Sequence, residues 1–313
     1  MVQLNIQIPN GFLDEEERCG YLVTKQQKEI WAIELDLYNE LKRVCKKNRL
    51  RFAANAGTVL GAIRHNGFIP WDDDLDFAMP REDYNQLCKL APEEFKMPYH
   101  LENFHTDPHY VYGSSKLMNL NTTGYENPFT KKHGIFIDIF PLDACINDKK
   151  LFENQWKEAL KLFSKFQRVV TCTRKDYCNA KGISIPRRLI RWAYYYYYKC
   201  RGIHVGSTYQ KILFNKFEEV CQQYNRDYCV KYAGEISFLQ KNDKTRVADF
   251  DHIIEHTFEF TTIPLFEHYN EYLIEKYGDY MTPIKTGYAM HTFKIIDTNS
   301  PYTKVLKEKG IIQ

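Results

Sequence analysis

The 313-residue chain carries 43 basic and 40 acidic residues, a net charge of +3. That balance excludes the large, clustered positive charge of a nucleic-acid-binding protein, so no nucleic-acid partner is expected. Apolar residues at 44% are enough for a real core, and the length suits one large domain or a core with an elaboration. Nine cysteines are scattered without any CxxC pair. They read as reduced thiols, mostly buried as small apolar residues, in a cytoplasmic protein. Asp14, Glu15, Glu16 and Glu17 stand where a signal peptide would place a basic and then an apolar run. No apolar run reaches the roughly 18 residues of a membrane span, so neither a leader nor a transmembrane helix is expected.

In chain order, the first expected element is a helix over 24–48. Thr24 and Gln27 form a capping-box pair, and Ile30, Ile33, Leu37, Leu41 and Val44 recur on one helical face. A strand over 50–54 follows, then a turn at 55–58 and a short helix over 59–65. A loop from Gly67 to Trp71 leads into a strand over 74–79, closed by Pro80, and a helix over 81–90. A strand near 109–118, a turn-rich stretch over 119–134 and a strand over 135–140 complete the first half. The second half reads as mostly helical, with helices over 149–170, 186–199, 208–224 and 264–277 and strand-like patches near 234–239 and 257–262. The expected division is a catalytic core over 1–147, a mainly helical elaboration over 148–256 and a C-terminal segment over 257–313 that packs back on the core.

The chemistry concentrates in residues 55–79, NAGTVLGAIRHNGFIPWDDDLDFAM. Asp72, Asp73, Asp74 and Asp76 crowd into five positions, between apolar flanks that argue against a solvated acidic turn. If the strand begins here, Asp72, Asp74 and Asp76 share one face, while Leu75 and Phe77 anchor the other in the core. Gathered carboxylates repel, and a hard divalent cation such as Mg²⁺ relieves the repulsion. A second carboxylate, Asp138, lies inside the apolar run IFIDIF at 135–140, where it is too costly to bury unpaired. It reads as a third metal ligand on a neighbouring strand, or as a capping residue at a strand end. Asp143, after Pro141, reads better as a strand-end residue capping a loop. Upstream, Gly57 and Thr58 open a helix whose N-terminus favours an anion.

This order of a small residue, Gly and Thr, then Asp-x-Asp on a strand, then a further strand carboxylate resembles the polymerase-β type of nucleotidyltransferase fold. More narrowly, GTVLGAIRHNGFIPWDDDLDFAMPREDY at 57–84 resembles the signature of the LicD family, which includes fukutin-related protein. GIFIDIFPLD at 134–143, YLIEKYGDYM at 272–281 and SSKLMN at 114–119, followed by Asn121, Thr122 and Thr123, are similar to that family too. The resemblance is close over 24–143, loose over 257–291 and absent over 150–255. It implies an α+β fold with a mixed sheet flanked by helices. It also implies metal-dependent transfer of a phosphorylated alcohol from a nucleotide diphosphate donor to a glycan hydroxyl. Bacterial members use CDP-choline to decorate teichoic acid or lipopolysaccharide with phosphocholine.

Carried over by motif, Asp74 and Asp76 match the family's metal pair and Asp138 the third carboxylate, with Mg²⁺ or Mn²⁺ as the ion. Asp72 is a weaker candidate on the same expected face. Gly57 and Thr58 would cradle the diphosphate, and Arg64 and Lys116 are candidate phosphate contacts, each equally readable as a solvated charge. His65 is a base or a helix C-terminal cap. Arg81 reads as the partner of a carboxylate at its helix start. Tyr110, Tyr112 and Tyr125 are candidate walls for a quaternary ammonium, against a reading as ordinary strand packing. His291 lies where the resemblance is loose and carries no assignment. Residues 181–201, KGISIPRRLIRWAYYYYYKCR, hold six basic residues and no acidic one. Their Trp, Tyr and flanking cations have the composition of a membrane–water interface, so peripheral contact with a membrane or a lipid-linked acceptor is expected. The competing reading packs these aromatics into the core of the second half.

Overall fold

A computed structural model describes residues 1–180, 182–226, 231–238, 244–246, 250–283 and 293–312. His291 and Lys181 lie outside these residues. An N-terminal hairpin, β1 (Glu16–Arg18) and β2 (Tyr21–Val23), precedes the long helix α1 (Lys25–Asn48). The Thr24 hydroxyl accepts the Gln27 backbone N–H at 3.3 Å, and Arg49 closes α1 in the left-handed conformation. The capping box is only half made. The Gln27 side chain turns away from the cap and donates to the carbonyls of Pro70 and Asp72. The expected stripe of Ile30, Ile33, Leu37, Leu41 and Val44 is buried.

Next come β3 (Ala53–Ala54), α2 (Ala56–His65), β4 (Asp76–Pro80), α3 (Arg81–Glu94), β5 (Tyr99–Glu102), β6 (Ser115–Asn119), β7 (Thr123–Tyr125) and β8 (Ile135–Cys145). The second half supplies α4 (Lys149–Cys172), α5 (Lys175–Cys178), α6 (Ile185–Cys200) and α7 (Thr208–Cys221). It continues with β9 (Tyr232–Gly234), a 3₁₀ turn at Ile236–Phe238, β10 (Lys244–Arg246), β11 (Ile253–Phe258) and β12 (Thr261–Phe266). The last elements are α8 (Tyr269–Tyr277), β13 (Ile295–Asp297) and α9 (Tyr302–Glu308).

The fold is α+β, with a mixed seven-stranded sheet flanked by helices. Along one path the strands run β10, β9, β8, β4, β3, while β6 pairs with β8 and β5 with β6. β8 is the spine. Its first part lies antiparallel to β6 and parallel to β4, and its last residues pair with β9. Burial on both faces matches a run that is apolar apart from Asp138 and Asp143. One core lies between the sheet, α1, α2 and the β11–β12 hairpin. A second is built from α4 and α7, with Phe104, Tyr198 and Ile236.

Several expectations change. The strand near 109–118 shortens to 115–119 and pairs with β5, which periodicity did not reveal. The helix expected over 264–277 begins only at Tyr269, because Thr261 to Phe266 is claimed by the β11–β12 ladder. Asp143 does not cap a loop. It lies inside β8, fully buried, where the Arg81 guanidinium reaches it at 2.8 and 2.5 Å. β9 and β10, in the segment after residue 148, extend the sheet beyond β8. β13, in the C-terminal segment, pairs with β7.

His133, in the turn before β8, is 4% exposed, with the Tyr125 ring 4.8 Å away. Burial pushes its pKa down to about 4. The unfolded chain therefore takes up the proton near the ordinary value of about 6.5 while the folded chain resists it, so stability is lost as pH falls from there towards 4. Between pH 7 and pH 5 this loss is about 2 kcal/mol. Chemical denaturation at the two pH values should show it, and His133→Gln should remove most of it. An unchanged pH slope in that variant would rule the assignment out.

Candidate active site

The site grows from the pairing of three neighbouring strands. Asp76 stands opposite Asp138 in the parallel β4–β8 register, and Lys116 stands opposite Asp138 in the antiparallel β6–β8 register. Two carboxylates and one ammonium thus lie side by side across the sheet. The Lys116 Nζ is 4.0 Å from an Asp138 oxygen and 2.8 Å from Glu126. It also lies over the rings of Phe136 at 3.3 Å and Tyr112 at 5.0 Å. Burial works against this ammonium, but Asp138 and Glu126 outweigh it and hold its pKa above the usual value. Lys116 is therefore a buried, charged component of the site rather than a solvated surface residue.

The acidic segment is not the continuous strand expected. Asp72, Asp73 and Asp74 precede β4, which starts at Asp76. Near Asp76 the alternation does hold: Leu75 and Phe77 are fully buried, while Asp74 and Asp76 keep partial exposure. Asp73 is the carboxylate that goes inside, at 2% exposure. Asp72 faces the start of α2. A Cβ placed on Gly57 would come within 3.2 Å of its carboxylate, so a glycine suits this close approach. The carboxylate lies where the positive end of the α2 dipole favours an anion.

The buried Thr58 hydroxyl accepts the backbone N–H of Asp76 at 2.8 Å and fixes the start of β4 to α2. Arg64 and His65 are not turned to the aspartates. They close the far end of α2, where Arg64 donates to the carbonyl of Tyr280 and to the His65 ring. Burial, then the charges of Arg64 and Arg18, push the His65 pKa down to about 4. The three tyrosines make no open aromatic box. Tyr110 is fully buried, Tyr112 already has Lys116 near its ring, and Tyr125 packs against His133.

Glu34 escaped the sequence reading. Gln27, Trp31 and Glu34 fall on one face of α1. The first two donate to the Asp72 carbonyl, at 3.2 and 2.8 Å. Glu34, one turn on, is 1% exposed, and neither of its carboxyl oxygens has a hydrogen-bond partner. Burial, then the charges of Asp73, Asp74, Asp72 and Asp76, push its pKa well above the usual range. A glutamate facing inward at a helical interval from Trp31 was the available signal. Glu235, buried in the segment after β9, was beyond the reach of any pattern. It accepts from Asn55 at 2.6 Å, and Asn55 accepts in turn from the Tyr272 hydroxyl at the entry to α2.

The donor set is made of oxygen atoms, which suits a hard divalent cation. Among the described residues, no three His, Cys, Asp or Glu side chains close into a metal cage. The expected trio of Asp74, Asp76 and Asp138 therefore forms no such group. Asp76 and Asp138, paired in register, are two carboxylates of the kind that can bind Mg²⁺ together with substrate phosphates.

The nucleotidyltransferase domain described as LicD/FKTN/FKRP matches residues 49–173, a span that holds every strand of this site. The lipopolysaccharide cholinephosphotransferase LicD of Haemophilus influenzae is 25% identical over 268 residues, which is 83% of this chain and 92% of that protein. Shorter stretches match two uncharacterized Rickettsia proteins. One, from Rickettsia prowazekii, is 38% identical over 68 residues, covering 21% of this chain and 26% of that protein. The other, from Rickettsia typhi, is 35% identical over 72 residues, covering 22% of this chain and 23% of that protein. The matched domain contains Asp76, Asp138 and Lys116, and the Haemophilus relative aligns along most of both chains, so residues 49–173 of this protein are similar to the LicD/FKTN/FKRP nucleotidyltransferase domain.

Proposed function

We propose that this protein transfers phosphocholine, or a closely related phosphorylated alcohol, from a cytidine-diphosphate donor to a hydroxyl of a cell-surface glycan. The acceptor would be a lipopolysaccharide or a teichoic acid. The observation that carries the reading is the register of Asp76, Asp138 and Lys116 on adjoining strands. The Haemophilus relative, named for lipopolysaccharide cholinephosphotransfer and matched over 92% of its length, supports the choice of group and acceptor.

In-line phosphoryl transfer needs the diphosphate charge neutralised and the acceptor oxygen positioned. Asp76 and Asp138, with Asp74, would hold Mg²⁺ or Mn²⁺, and the ion would neutralise the developing phosphate charge. Lys116 contributes a cation held in place by its two carboxylates and by its buried stem. Reaching a donor phosphate requires it to exchange Glu126 for the phosphate. Asp138 would also accept the proton of the acceptor hydroxyl, which would require it to keep one oxygen off the metal. The N-terminus of α2, opened by Ala56 and Gly57, is the natural seat for a phosphate oxygen that displaces Asp72.

The test is product analysis. Incubated with CDP-choline, Mg²⁺ and lipopolysaccharide, the enzyme should release CMP and label the glycan. Release of pyrophosphate from a nucleoside triphosphate would instead mean nucleotidyl transfer. Removing the metal with EDTA should stop turnover, and Mg²⁺ or Mn²⁺ should restore it. Full activity after exhaustive metal removal would overturn the proposed role of the carboxylates.

A further inference from the structure

Helix α6 carries the feature that the proposed transfer leaves unused. Its residues Arg191, Tyr194 and Tyr198 face the protein. Arg191 stacks on the Tyr177 ring at 3.8 Å and donates to the Tyr177 carbonyl at 2.9 Å. Tyr194 takes a hydrogen bond from Arg168 at 2.8 Å, and Tyr198 is buried in the second core. At about 100° per residue, the opposite side presents Ile185, Leu189, Trp192 and Tyr196 as one stripe. Ile185 is 73% exposed, Leu189 66% and Tyr196 57%, while Trp192 is half-buried and donates its indole N–H to Asn179 at 3.2 Å. The expectation that these aromatics fill the core therefore holds for Tyr198 and not for the outward stripe. Ile190 and Tyr197, also exposed, widen the stripe on one side.

One flank is cationic: Arg188 and Lys199 lie beside Trp192 on the helical wheel, and Arg187 and Arg201 add exposed cations near the two ends of the helix. Residues 182–201 contain no Asp or Glu. Among the described residues, none of these four forms an ion pair. An apolar stripe turned away from the protein, with cations beside it and Trp and Tyr along it, has the make-up of a helix that lies in a bilayer interface. A second copy of this chain is a poorer occupant. A two-fold contact sets the same patch against itself, bringing the basic flanks together with no acid on the helix to offset them. No helix among the described residues is long and apolar enough to cross a membrane, so the contact would be peripheral.

We infer that α6 is an interfacial helix that docks the protein on an anionic lipid surface, with its Ile185–Leu189–Trp192–Tyr196 stripe entering the interface and its cations at the headgroups. The proposal is independent of the chemistry at the Asp76–Asp138 site, and its test uses no donor or acceptor. The full chain is sedimented with vesicles of equal parts phosphatidylglycerol and phosphatidylcholine, and with vesicles of phosphatidylcholine alone. Binding to the anionic vesicles should exceed binding to the neutral ones by about tenfold or more at low salt and fall as salt rises. A charge variant, Arg187→Gln with Arg188→Gln and Lys199→Gln, should lose most of that preference. A stripe variant, Ile185→Gln with Leu189→Gln and Tyr196→Gln, should lose binding at all salt concentrations. Trp192 emission should shift to the blue with vesicles, a change absent from Trp192→Phe. These positions are at the surface, so circular dichroism should show both triple variants folded. If it shows either unfolded, single substitutions at Arg188 and Leu189 carry the same test. The proposal fails if the wild-type protein stays in the supernatant at low salt, or if both variants bind as it does. It also fails if light scattering shows a dimer that the stripe variant dissociates, since the stripe would then face a second copy.

Discussion

Asp76→Asn should reduce turnover by at least about 10²–10³, the cost typical of removing one fixed electrostatic contact to a transition state. The same loss is expected for Asp138→Asn. Both residues share one register step on adjoining parallel strands, so each substitution removes half of the carboxylate pair. Asp76→Asn should not destabilise the protein. Asp76 lies at the start of its strand with partial exposure, among like charges that include Asp72, Asp73 and Asp74, and these charges raise the pKa of Glu34. Relieving that repulsion should leave the thermal midpoint equal or higher, the signature of a residue kept for chemistry rather than stability. The two effects separate cleanly in measurement: steady-state CMP release for the first, a thermal melt for the second. A variant that retains activity within a few-fold at saturating metal would remove Asp76 from the site. A large fall in melting temperature would mean that its role is structural.

Asp143→Ala should be the most damaging single change to stability. The Asp143 carboxylate accepts two hydrogen bonds from Arg81, at 2.8 and 2.5 Å, and one from Asn225 at 2.9 Å. The side chains of Arg81 and Asp143 are 3% and 0% exposed. Removing the acid leaves a guanidinium inside the protein whose remaining acidic partner, among the described residues, is Glu218 at 3.7 Å. Breaking a buried pair in this way costs about 3–5 kcal/mol, a large share of the 5–15 kcal/mol by which domains are stable. The charge itself is not what the fold requires. Replacing both partners by apolar residues, Arg81→Met with Asp143→Leu, should recover much of the loss. Denaturant unfolding of the single and double variants decides the matter. A loss below about 1 kcal/mol in Asp143→Ala would show that the interior accommodates the lone guanidinium.

Local information made much of the site legible. The α1 face was readable because helical spacing is set by residues three and four apart. The crowding of Asp72 to Asp76 and the lone Asp138 in an apolar strand pointed to carboxylate chemistry, because such charges are too costly to bury without a partner. The glycine at position 57 signalled a close approach, although its neighbour turned out to be Asp72. Thr58, Arg64 and His65 are near the acidic segment in sequence, and in the fold their side chains bond to Asp76, to Tyr280 and, for Arg64 and His65, to each other. His65 lies in the last turn of α2, where the cap reading put it.

The sequence by itself determined that this is an α+β protein with a carboxylate site on strands, since strand and helix periodicities and the cost of buried charge act over a few residues. Tertiary structure alone decided that Asp76, Asp138 and Lys116 share one row. Strand neighbours and register are chosen by packing between segments as far apart in sequence as Asp76 and Asp138, and a shift of one residue would have turned Asp138 to the other face. The same long-range packing buried Glu34 beneath the aspartates and gave Asp143 to Arg81 rather than to a loop. It also turned the Ile185–Tyr196 stripe of α6 outward. A helix sequence fixes which residues share a face, but only the contacts of Arg191, Tyr194 and Tyr198 with α4 and α5 fix which face meets the protein.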